Sequence, residues 1–529
     1  MSGTCIVVDE LLNASAFPHP VTHLAKRETH RSWIILTGQY AYKIKKAVPL
    51  DFIDTTLLES RLALCEKEAN LNRRLAPDLY IGVVAITRDA HGFHVGGSGD
   101  VVEYAVKMRE LHHSQELCSL LDHNDVDVAE IVALAQRLAE CHQSAASTNA
   151  SQDFTCTEHL RNAVLGNLGV LLSHLNTVEG LSQLGPLIDW THDELHDLLP
   201  ALHSREQLGF IRECHGDLHA RNIVRWQGQL MPFDCLACDP KLRWIDVMND
   251  VAFLVMDLVS HDRSDLAYAF LNRYLEITGD YDGLRLLPFY AIYRALVRAM
   301  VDCTTAGTSQ ELQTAMHHRM CRRVDTAARF MTRPAPKLFI MHGRSGSGKS
   351  WLSERVAESL AAVRIRSDVE RERLTDVQAT APGSDCTHRT YARLLECARS
   401  SLEGGMDSVI DAAFLDAADR KMFEEFAERR RIGYVILSCE ADRQSLTRRE
   451  QSPAAREQPR APLDRARAPL DPRDAAAIDD PLDTEEQAHA VTVNTDAPNA
   501  AADALTAIGR YCAGGELRGR RRELINYLN

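Results

Sequence analysis

A glycine-rich octapeptide between an apolar run and an amphipathic segment constrains this chain more than any other feature. It reads Gly343-Arg344-Ser345-Gly346-Ser347-Gly348-Lys349-Ser350 and directly follows the apolar residues 338–341. Downstream, Leu352, Val356 and Leu360 recur every four residues, which predicts a helix with one apolar face. A strand, a glycine loop and a helix in this order are typical of a parallel α/β sheet whose loop N–H groups surround a phosphate. The sequence therefore predicts a P-loop fold in this region.

The same octapeptide predicts how a nucleoside triphosphate is held. In such loops the lysine, here Lys349, reaches the β- and γ-phosphates, and the hydroxyl of Ser350 binds Mg²⁺. A second apolar run, Val409-Ile410, ends at Asp411, a carboxylate suited to holding Mg²⁺ or its water ligands. Residues 343–350 and Asp411 are therefore the predicted nucleotide and metal site.

An acceptor side and a lid are predicted from the neighbouring elements. A strand is predicted over 362–366, and Asp368 follows at its carboxyl end, where ligands bind in parallel sheets. Asp368 is therefore a candidate base for an acceptor hydroxyl, and Arg371 is a candidate ligand of an anionic acceptor. Arg448 and Arg449 are candidate lid residues that close on the phosphates, although exposed arginines without that role fit the same pattern.

Three stretches of this half carry a resemblance: the octapeptide, Arg366-Ser367-Asp368-x-x-Arg371 and Asp411-Ala412-Ala413-Phe414. Together they resemble the small P-loop kinases related to polynucleotide kinase and zeta toxin. The resemblance implies an ATP-dependent kinase with an acid after the second strand as base and with arginines in a lid. The chain departs from that family in the lid, where a short repeat, 460–464 and 467–471, interrupts the expected arginine pattern.

A second, unrelated motif for phosphoryl transfer lies in the first half of the chain. The residues His215-Gly216-Asp217-Leu218-His219-Ala220-Arg221-Asn222 have the His-x-Asp-x-x-x-x-Asn spacing of a kinase catalytic loop. In that pattern Asp217 orients the acceptor hydroxyl and accepts its proton, and Asn222 binds Mg²⁺. An apolar run, 231–233, then closes on Asp234, which is placed to complete the metal site.

Such a site also requires a strand lysine that pairs with a helix glutamate. The run 33–45 predicts a hairpin in which Lys43 and Lys45 share one face, because side chains alternate along a strand. A helix is predicted over 57–75, and its apolar spacing turns Glu68 inward. A buried carboxylate usually has a partner. Lys45 is preferred as that partner from its position near the strand end, with Lys43 as the alternative.

Four stretches carry a wider resemblance: Tyr42-Lys43-Ile44-Lys45-Lys46, Asn72-Arg73-Arg74-Leu75-Ala76-Pro77, 215–222 and Arg243-Trp244-Ile245-Asp246. They resemble the aminoglycoside phosphotransferase-like family, and in particular bacterial proteins that fuse such a module to a C-terminal P-loop ATPase or kinase. The resemblance implies an N-terminal protein-kinase-like two-lobed fold, a C-terminal P-loop NTPase with a parallel α/β sheet, and ATP with Mg²⁺ as cofactors. The chain has Ala237-Cys238 where such proteins have an acidic–aromatic pair.

The length of the chain, its prolines and changes in its composition predict the domain boundaries. A chain of 529 residues exceeds what one hydrophobic core supports. We predict a kinase-like domain over 1–330, with a small lobe over 1–110 and a large lobe over 111–330, and a proline-marked linker over 331–336. A P-loop domain over 337–510 and a tail over 511–529 follow. An insertion over 451–483 is rich in proline and charge and lacks the apolar residues of a core.

Composition narrows the expected surroundings and partners. The net charge of −14 argues against extended binding to nucleic acid or to anionic membranes. Because no apolar run approaches the ~18 residues of a membrane span, and because the 14 cysteines lack framework spacing, we expect a cytoplasmic protein with reduced thiols. The expected partner is a small-molecule or nucleotide acceptor. The sequence leaves the oligomeric state open.

Two other readings of the same motifs remain open at this point. In the first, the N-terminal module is a nucleotide-binding regulatory domain, and chemistry is confined to the P-loop half. In the second, the P-loop half is an ATPase switch that phosphorylates no acceptor. Fold analogy alone does not decide between them, because function depends on the site.

Overall fold

The computed structural model describes residues 3–50, 53–147, 156–174, 178–304, 310–332, 334–377, 385–451 and 480–512. It divides into two compact units, 1–266 with 289–331 and 267–288 with 332–529. The predicted 451–483 insertion lies almost entirely outside the described residues, as does the 511–529 tail beyond 512. In the described parts of the chain, every helix is too short or too polar to cross a lipid bilayer.

A six-stranded antiparallel sheet forms the beginning of the first unit. Its order is β1-β2-β3-β8-β6-β7. The strands are β1 (Ala25–Glu28), β2 (Ser32–Leu36), β3 (Tyr40–Lys45), β6 (Tyr80–Asp89), β7 (Gly92–Val95) and β8 (Asp100–Arg109), beside a short pair formed by β4 (Pro49–Leu50) and β5 (Ile53–Asp54). The predicted hairpin is present as β2 and β3, in the register Trp33 to Ile44.

Alternation along β3 separates its two faces. Tyr42 and Ile44 pack with Val8 in a core under helix α1 (Gly3–Glu10). On the opposite face, Ala41 packs with Ala69 of helix α2 (Leu58–Arg73). Because Lys43 and Lys45 share the face of Ala41, the sheet turns both lysines toward α2.

Helices make up most of the remaining first unit. They are α3 (Leu117–Asp122), α4 (Val128–Ser144), α5 (Cys156–His174), α6 (Val178–Gln207), α7 (Val247–Ser260), α9 (Leu287–Thr304) and α10 (Gln310–Met331). Two small antiparallel pairs interrupt them, β9 (Ile211–Glu213) with β12 (Trp244–Asp246) and β10 (Ile223–Trp226) with β11 (Gln229–Pro232). The His215 motif lies between β9 and β10. A sheet-rich part followed by a helix-rich part is the protein-kinase-like fold that the sequence predicted.

A five-stranded parallel sheet forms the centre of the second unit. Its order is β14-β15-β13-β16-β17, and every neighbouring pair is parallel. The strands are β13 (Lys337–His342), β14 (Val363–Arg366), β15 (Ser408–Asp411), β16 (Gly433–Glu440) and β17 (Ala490–Asn494). The apolar run after Pro336 is thus the central strand, and the octapeptide leaves from its carboxyl end. This is the predicted P-loop architecture.

The helices of the second unit follow the strands in alternation. They are α11 (Lys349–Leu360), α12 (Ser367–Val377), α13 (Asp385–Glu403), α14 (Ala417–Arg430), α15 (Arg443–Gln451), α16 (Thr484–Ala488) and a helix over 500–512. Leu352 and Val356 of α11 are buried against Phe339 of the sheet. The four-residue apolar spacing seen in the sequence is therefore the packed face of α11.

The division into units differs from the predicted domains in one segment. Residues 267–288 belong to the second unit, although the sequence prediction placed them in the first. They contain most of helix α8 (Ser264–Thr278) and a short 3₁₀ helix (Tyr281–Arg285). The physical reason is a set of hydrogen bonds to α12, α13 and the start of β14, which link positions 90 or more residues apart, such as Asn272 and Ala362. Prolines and glycines in the sequence do not indicate contacts between residues that lie so far apart along the chain.

Candidate functional site

In the first unit, one buried carboxylate joins the two strand lysines. Glu68 is 2% exposed, Lys43 Nζ lies 2.9 Å from its Oε1, and Lys45 Nζ contacts its Oε2. Burial alone raises the pKa of Glu68, but the two ammonium groups outweigh burial and hold the pKa at about 2. The sequence left Lys43 and Lys45 as alternatives, and the structure brings both to Glu68. Lys43 alone also reaches Asp234, at 2.5 Å.

The candidate base and metal ligands of the first unit lie together. Asn222 Nδ2 donates to Asp217 Oδ2 at 2.9 Å. His219 Nε2 lies 3.4 Å from Asp217 Oδ2, and Arg298 Nη1 lies 3.0 Å from that same His219 nitrogen. Burial raises the pKa of Asp217, but His219 and Arg298 lower it below its ordinary value. His219 and Arg298 thus favour the carboxylate form of Asp217.

The backbone at Asp234 lies in the left-handed region. Asp234 has φ +60°, a conformation that non-glycine residues seldom adopt. Its N–H donates to the Tyr80 hydroxyl at 3.1 Å, and the next N–H, of Cys235, donates to Asn72 Oδ1 at 2.9 Å. Two side chains from the sheet-rich part thus stabilise the turn. Sequence reasoning missed Tyr80 and did not single out Asn72 for this role.

Asp250 of α7 holds the backbone of the His215 motif in place by hydrogen bonds. It is fully buried, and its two oxygens accept His215 N–H at 2.9 Å and Gly216 N–H at 3.0 Å. His142 Nε2 adds a contact of 3.3 Å. The ligand atoms of His142, Cys214 and Asp250 lie within 4.8 Å of one another, but the Asp250 oxygens are already taken up by these hydrogen bonds. We therefore assign Asp250 a bracing role.

Asp250→Asn is expected to lower the free energy of unfolding by roughly 2–3 kcal/mol. The substitution keeps the shape of the side chain but turns an NH₂ group toward a buried N–H donor, so one donor loses its acceptor. Urea denaturation measures the change. Asp262→Asn is the matched control, because the Asp262 side chain is 78% exposed. Equal losses in the two variants would contradict the bracing role.

In the second unit, the octapeptide forms a loop in which two positions require glycine. Gly343 has φ +133°, and a Cβ there would lie 2.6 Å from the Cys439 carbonyl oxygen. Gly348 has φ +88° and begins α11, and a Cβ there would lie 3.0 Å from Thr495. The close approach keeps the loop against the sheet with its N–H groups at the start of α11, where the helix dipole favours an anion.

The predicted phosphate and metal ligands of this loop lie side by side. Ser350 Oγ donates to Asp411 Oδ1 at 3.3 Å, and Lys349 Nζ donates to the Arg344 carbonyl at 2.8 Å. Burial lowers the pKa of Lys349, with Asp411 acting in the opposite direction. Arg364 Nη2 lies 2.6 Å from Asp411 Oδ2, a pairing that the sequence analysis missed. The spacing of Arg364 and Arg366 on one strand was the available signal.

The two predicted lid arginines differ in position. Arg449 Nη1 donates to the Gly346 carbonyl at 3.2 Å, and Arg449 Nη2 lies 2.7 Å from Asp496. Arg448 contacts Ser445 of its own helix instead. The structure therefore brings Arg449, but not Arg448, to the phosphate loop.

The candidate acceptor residues follow the edge strand β14. Asp368 lies in the first turn of α12, its side chain is 69% exposed, and Arg366 Nη2 lies 2.7 Å from its Oδ2. Desolvation raises the pKa of Asp368, but Arg366 outweighs it and lowers the pKa below its ordinary value. Arg371 lies one helical turn further along, partly buried.

A half-buried acid near the start of α14 makes stability depend on pH. Burial and the neighbouring Asp416 raise the pKa of Asp419 from 3.8 to about 6. The folded state then binds this proton more tightly than the unfolded chain, so the stability of the second unit increases as the pH falls from about 6 to about 4. Asp419→Asn is expected to raise the free energy of unfolding at pH 7.5 by about 1 kcal/mol, a value reduced for solvent screening.

Urea denaturation at pH 7.5 and at pH 4 measures this effect, which should shrink at the lower pH. Asp503→Asn, at an exposed position of the helix over 500–512, is the control and should show no such pH dependence. A constant difference between Asp419→Asn and the wild type at both pH values would contradict the assignment.

A family model and several known proteins are similar to parts of the chain. An AAA domain family model matches residues 338–472. Two solved structures are similar to parts of the chain. The choline kinase of Cryptosporidium parvum covers 62% of this chain and 96% of its own, at 9% identity and a TM-score of 0.39. The APS kinase CysC of Mycobacterium tuberculosis covers 33% of this chain and 97% of its own, at 19% identity and a TM-score of 0.25.

Two full-length relatives extend across both units. The uncharacterized protein Rv2004c of Mycobacterium tuberculosis is 30% identical over 438 residues, which cover 80% of this chain and 85% of the relative. The uncharacterized protein Mb2027c of Mycobacterium bovis matches with the same identity and coverage. The aligned length exceeds what either unit alone provides, so the likeness includes both. The chain belongs to the family of these mycobacterial proteins.

Proposed function

We propose that this chain is an ATP- and Mg²⁺-dependent phosphotransferase with two nucleotide sites, which transfers a γ-phosphoryl group to hydroxyls of small-molecule or nucleotide acceptors. The observation that carries the proposal is the cluster in the first unit. There the strand lysines contact Glu68, Lys43 also contacts Asp234, and Asp217 contacts Asn222, which are the residue types that a kinase site requires. The P-loop and its neighbouring acid support the second site independently.

In the first site, each residue has one proposed task. Asp217 orients the acceptor hydroxyl and accepts its proton. Lys43 and Lys45 bind the phosphates, with Glu68 holding them in place. Asn222 and Asp234 fit Mg²⁺, because an amide oxygen and a carboxylate are ligands that this ion prefers. Bound Mg²⁺ supplies positive charge to the phosphoryl oxygens. The protein itself contributes positioning and fixed charge.

In the second site, the loop N–H groups and Lys349 bind the phosphates, and Ser350 and Asp411 fit Mg²⁺. Asp368 is the proposed base, and Arg371 is the proposed ligand of an anionic acceptor. The contact of Arg449 with the Gly346 carbonyl supports a role of this arginine at the phosphates. Such a site works by orienting the two reactants and by neutralising charge on the transferring group.

One observation favours the alternative of a regulatory first unit. Lys43 bridges Glu68 and Asp234, so its ammonium group neutralises a proposed metal ligand. Ala237-Cys238 in place of an acidic–aromatic pair points the same way. In this alternative the first unit binds a nucleotide without transferring phosphate, and only the P-loop unit is a kinase or an ATPase.

Labelled ATP, Mg²⁺ and a metabolite extract test these possibilities together. The wild type, Asp217→Asn, Lys349→Ala and the double variant are compared by mass spectrometry of the labelled products. We expect each single variant to lose a different product and the double variant to lose both. Lys421→Ala, at an exposed position, is the lysine control.

Each other outcome has a definite meaning. Products that persist in the double variant would exclude both proposed sites. Loss of all products in Lys349→Ala, with none lost in Asp217→Asn, would establish the regulatory alternative. Release of inorganic phosphate without any labelled product would identify an ATPase.

A further inference from the structure

The second unit includes a segment that the chain supplies from far upstream. Residues 267–288 belong to this unit, whereas residues up to 266 and from 289 to 331 belong to the first. Most of α8 and the 3₁₀ helix that follows it lie in this segment, which we call the α8 segment. It contacts α13, β14 and α12. Of these elements, β14 leads to Asp368 and α12 carries it.

One side chain of the α8 segment hydrogen-bonds to β14 as a neighbouring strand would. Asn272 Nδ2 donates to the Ala362 carbonyl at 3.0 Å, and Asn272 Oδ1 accepts the Arg364 N–H at 2.9 Å. β14 is an edge strand that pairs with β15 on its other side. The outer edge of such a strand presents unpaired N–H and C=O groups. Asn272 satisfies one of each and thereby fixes the position of β14.

The position of β14 matters because its side chains reach both acids of the second site. Arg364 and Arg366 are two residues apart and share one face of the strand. Arg364 Nη2 lies 2.6 Å from Asp411, and Arg366 Nη2 lies 2.7 Å from Asp368. A displacement of β14 would therefore move the partner of the proposed metal ligand and the partner of the proposed base together.

Glu276 of the α8 segment adds a second carboxylate beside Arg366, the partner of Asp368. Its side chain is 11% exposed, and its Oε1 lies 3.7 Å from Arg366 Nη1. The Arg366 guanidinium is thus shared between Glu276 and Asp368. Asp368 faces less positive charge than it would if Arg366 had no second carboxylate.

The backbone of the same segment also holds the helix that carries Asp368. Arg373 of α12 donates to the Glu276 carbonyl at 2.8 Å, and Arg393 of α13 donates to the Gly279 carbonyl at 3.2 Å. Positively charged groups at the carboxyl end of a helix are favourable because they neutralise its dipole. The end of α8 therefore anchors α12 and α13 by their arginines.

We propose that the α8 segment is a positioning element of the P-loop site, in which Asn272 fixes β14 and Glu276 sets the charge that Arg366 presents to Asp368. The role of Asp368 as the base rests on the proposed function, whereas the anchoring of β14 does not. Asn272 and Glu276 touch neither substrate nor reacting atoms, so both act through other residues.

The first test measures the amide exchange of β14 in the full-length protein. Hydrogen–deuterium exchange of the peptide that contains β14 is compared in the wild type, Asn272→Ala and Asn272→Asp. Loss of the two hydrogen bonds is expected to speed exchange of the β14 amides roughly tenfold. Gly509→Ala, in the same unit, is the control, because a Cβ at Gly509 meets no atom within 4 Å. Unchanged exchange of β14 in both Asn272 variants would overturn the anchoring.

The second test uses the product whose formation depends on Lys349. Glu276→Gln removes the carboxylate that competes for Arg366, so the pKa of Asp368 should fall, and the acid limb of the kcat/KM profile should move to lower pH. A merely structural role would lower activity without moving that limb. Glu276→Asp should restore the wild-type profile in part, and Glu428→Gln, at an exposed position of α14, should leave it unchanged.

The two tests separate the possible failures. An unmoved acid limb in Glu276→Gln would overturn the charge role of Glu276. If the wild type forms no product that depends on Lys349, the proposed function of the second site fails, and the exchange measurement still decides whether Asn272 anchors β14.

Discussion

Glu68→Gln is expected to lower the free energy of unfolding by about 3–5 kcal/mol. The reason is the buried cluster in which the Glu68 carboxylate contacts Lys43 and Lys45. Glutamine keeps the size of the side chain but removes the negative charge that contacts both ammonium groups, whereas Asp234 contacts only Lys43 of the two. Uncompensated buried charge is among the most costly defects that a single substitution introduces. Urea denaturation at pH 7 measures the loss.

The pH dependence of this loss has a definite sign. The pKa of Glu68 is about 2 in the folded state and 4.5 ordinarily, so its stabilising contribution is complete above about 4.5 and disappears as the pH falls toward 2. The difference between the wild type and Glu68→Gln should therefore be largest at neutral pH and smaller at pH 3. Glu66→Gln is the matched control, because Glu66 lies on the exposed face of the same helix. Similar losses in both variants would contradict the cluster.

Gly343→Ala is expected to weaken nucleotide binding by the second unit roughly 30- to 100-fold, equivalent to about 2–3 kcal/mol. Gly343 has φ +133°, a conformation that alanine adopts only with strain, and the new Cβ would lie 2.6 Å from the Cys439 carbonyl oxygen. Because that oxygen belongs to the backbone of β16, the loop rather than the strand has to move. A displaced loop no longer directs its N–H groups at one point.

Isothermal titration with ATP and Mg²⁺ measures this effect in the Asp217→Asn background, where we expect the proposed first site to bind nucleotide and to give an internal reference. Gly509→Ala is the matched control, because a Cβ at Gly509 meets no atom within 4 Å. We expect the control to bind nucleotide like the wild type. Equal affinity of Gly343→Ala and the wild type would show that the loop tolerates the methyl group.

Much of the fold was predictable from short-range patterns. The hairpin with Lys43 and Lys45 follows from alternation, and the inward position of Glu68 follows from its spacing to Leu64 and Leu71. The strand, glycine loop and helix around 343–350 were predictable for the same reason. In each case the pattern repeats within one element, so neighbouring residues carry the information.

The partners within the candidate sites were less predictable. Arg364 pairs with Asp411 across 47 positions of sequence, and Asn272 pairs with Arg364 across 92. No local pattern encodes such pairs, because an arginine on a strand suits many different carboxylates. The choice between Lys43 and Lys45 also depended on distance, and the structure places both at Glu68 while only Lys43 reaches Asp234.

The glycine octapeptide and the His215 motif therefore predicted a P-loop unit and a protein-kinase-like unit from the sequence alone. The glycines of the octapeptide are predictable because positive φ angles favour glycine. The aspartate and asparagine of the His215 motif are predictable because their oxygens suit metal ions and hydroxyl groups. Tertiary structure alone decided which side chains meet, including the shared carboxylate of Glu68 and the inclusion of residues 267–288 in the second unit. The physical reason is that a site is defined by distances between separated segments, and the packing of the whole unit sets those distances.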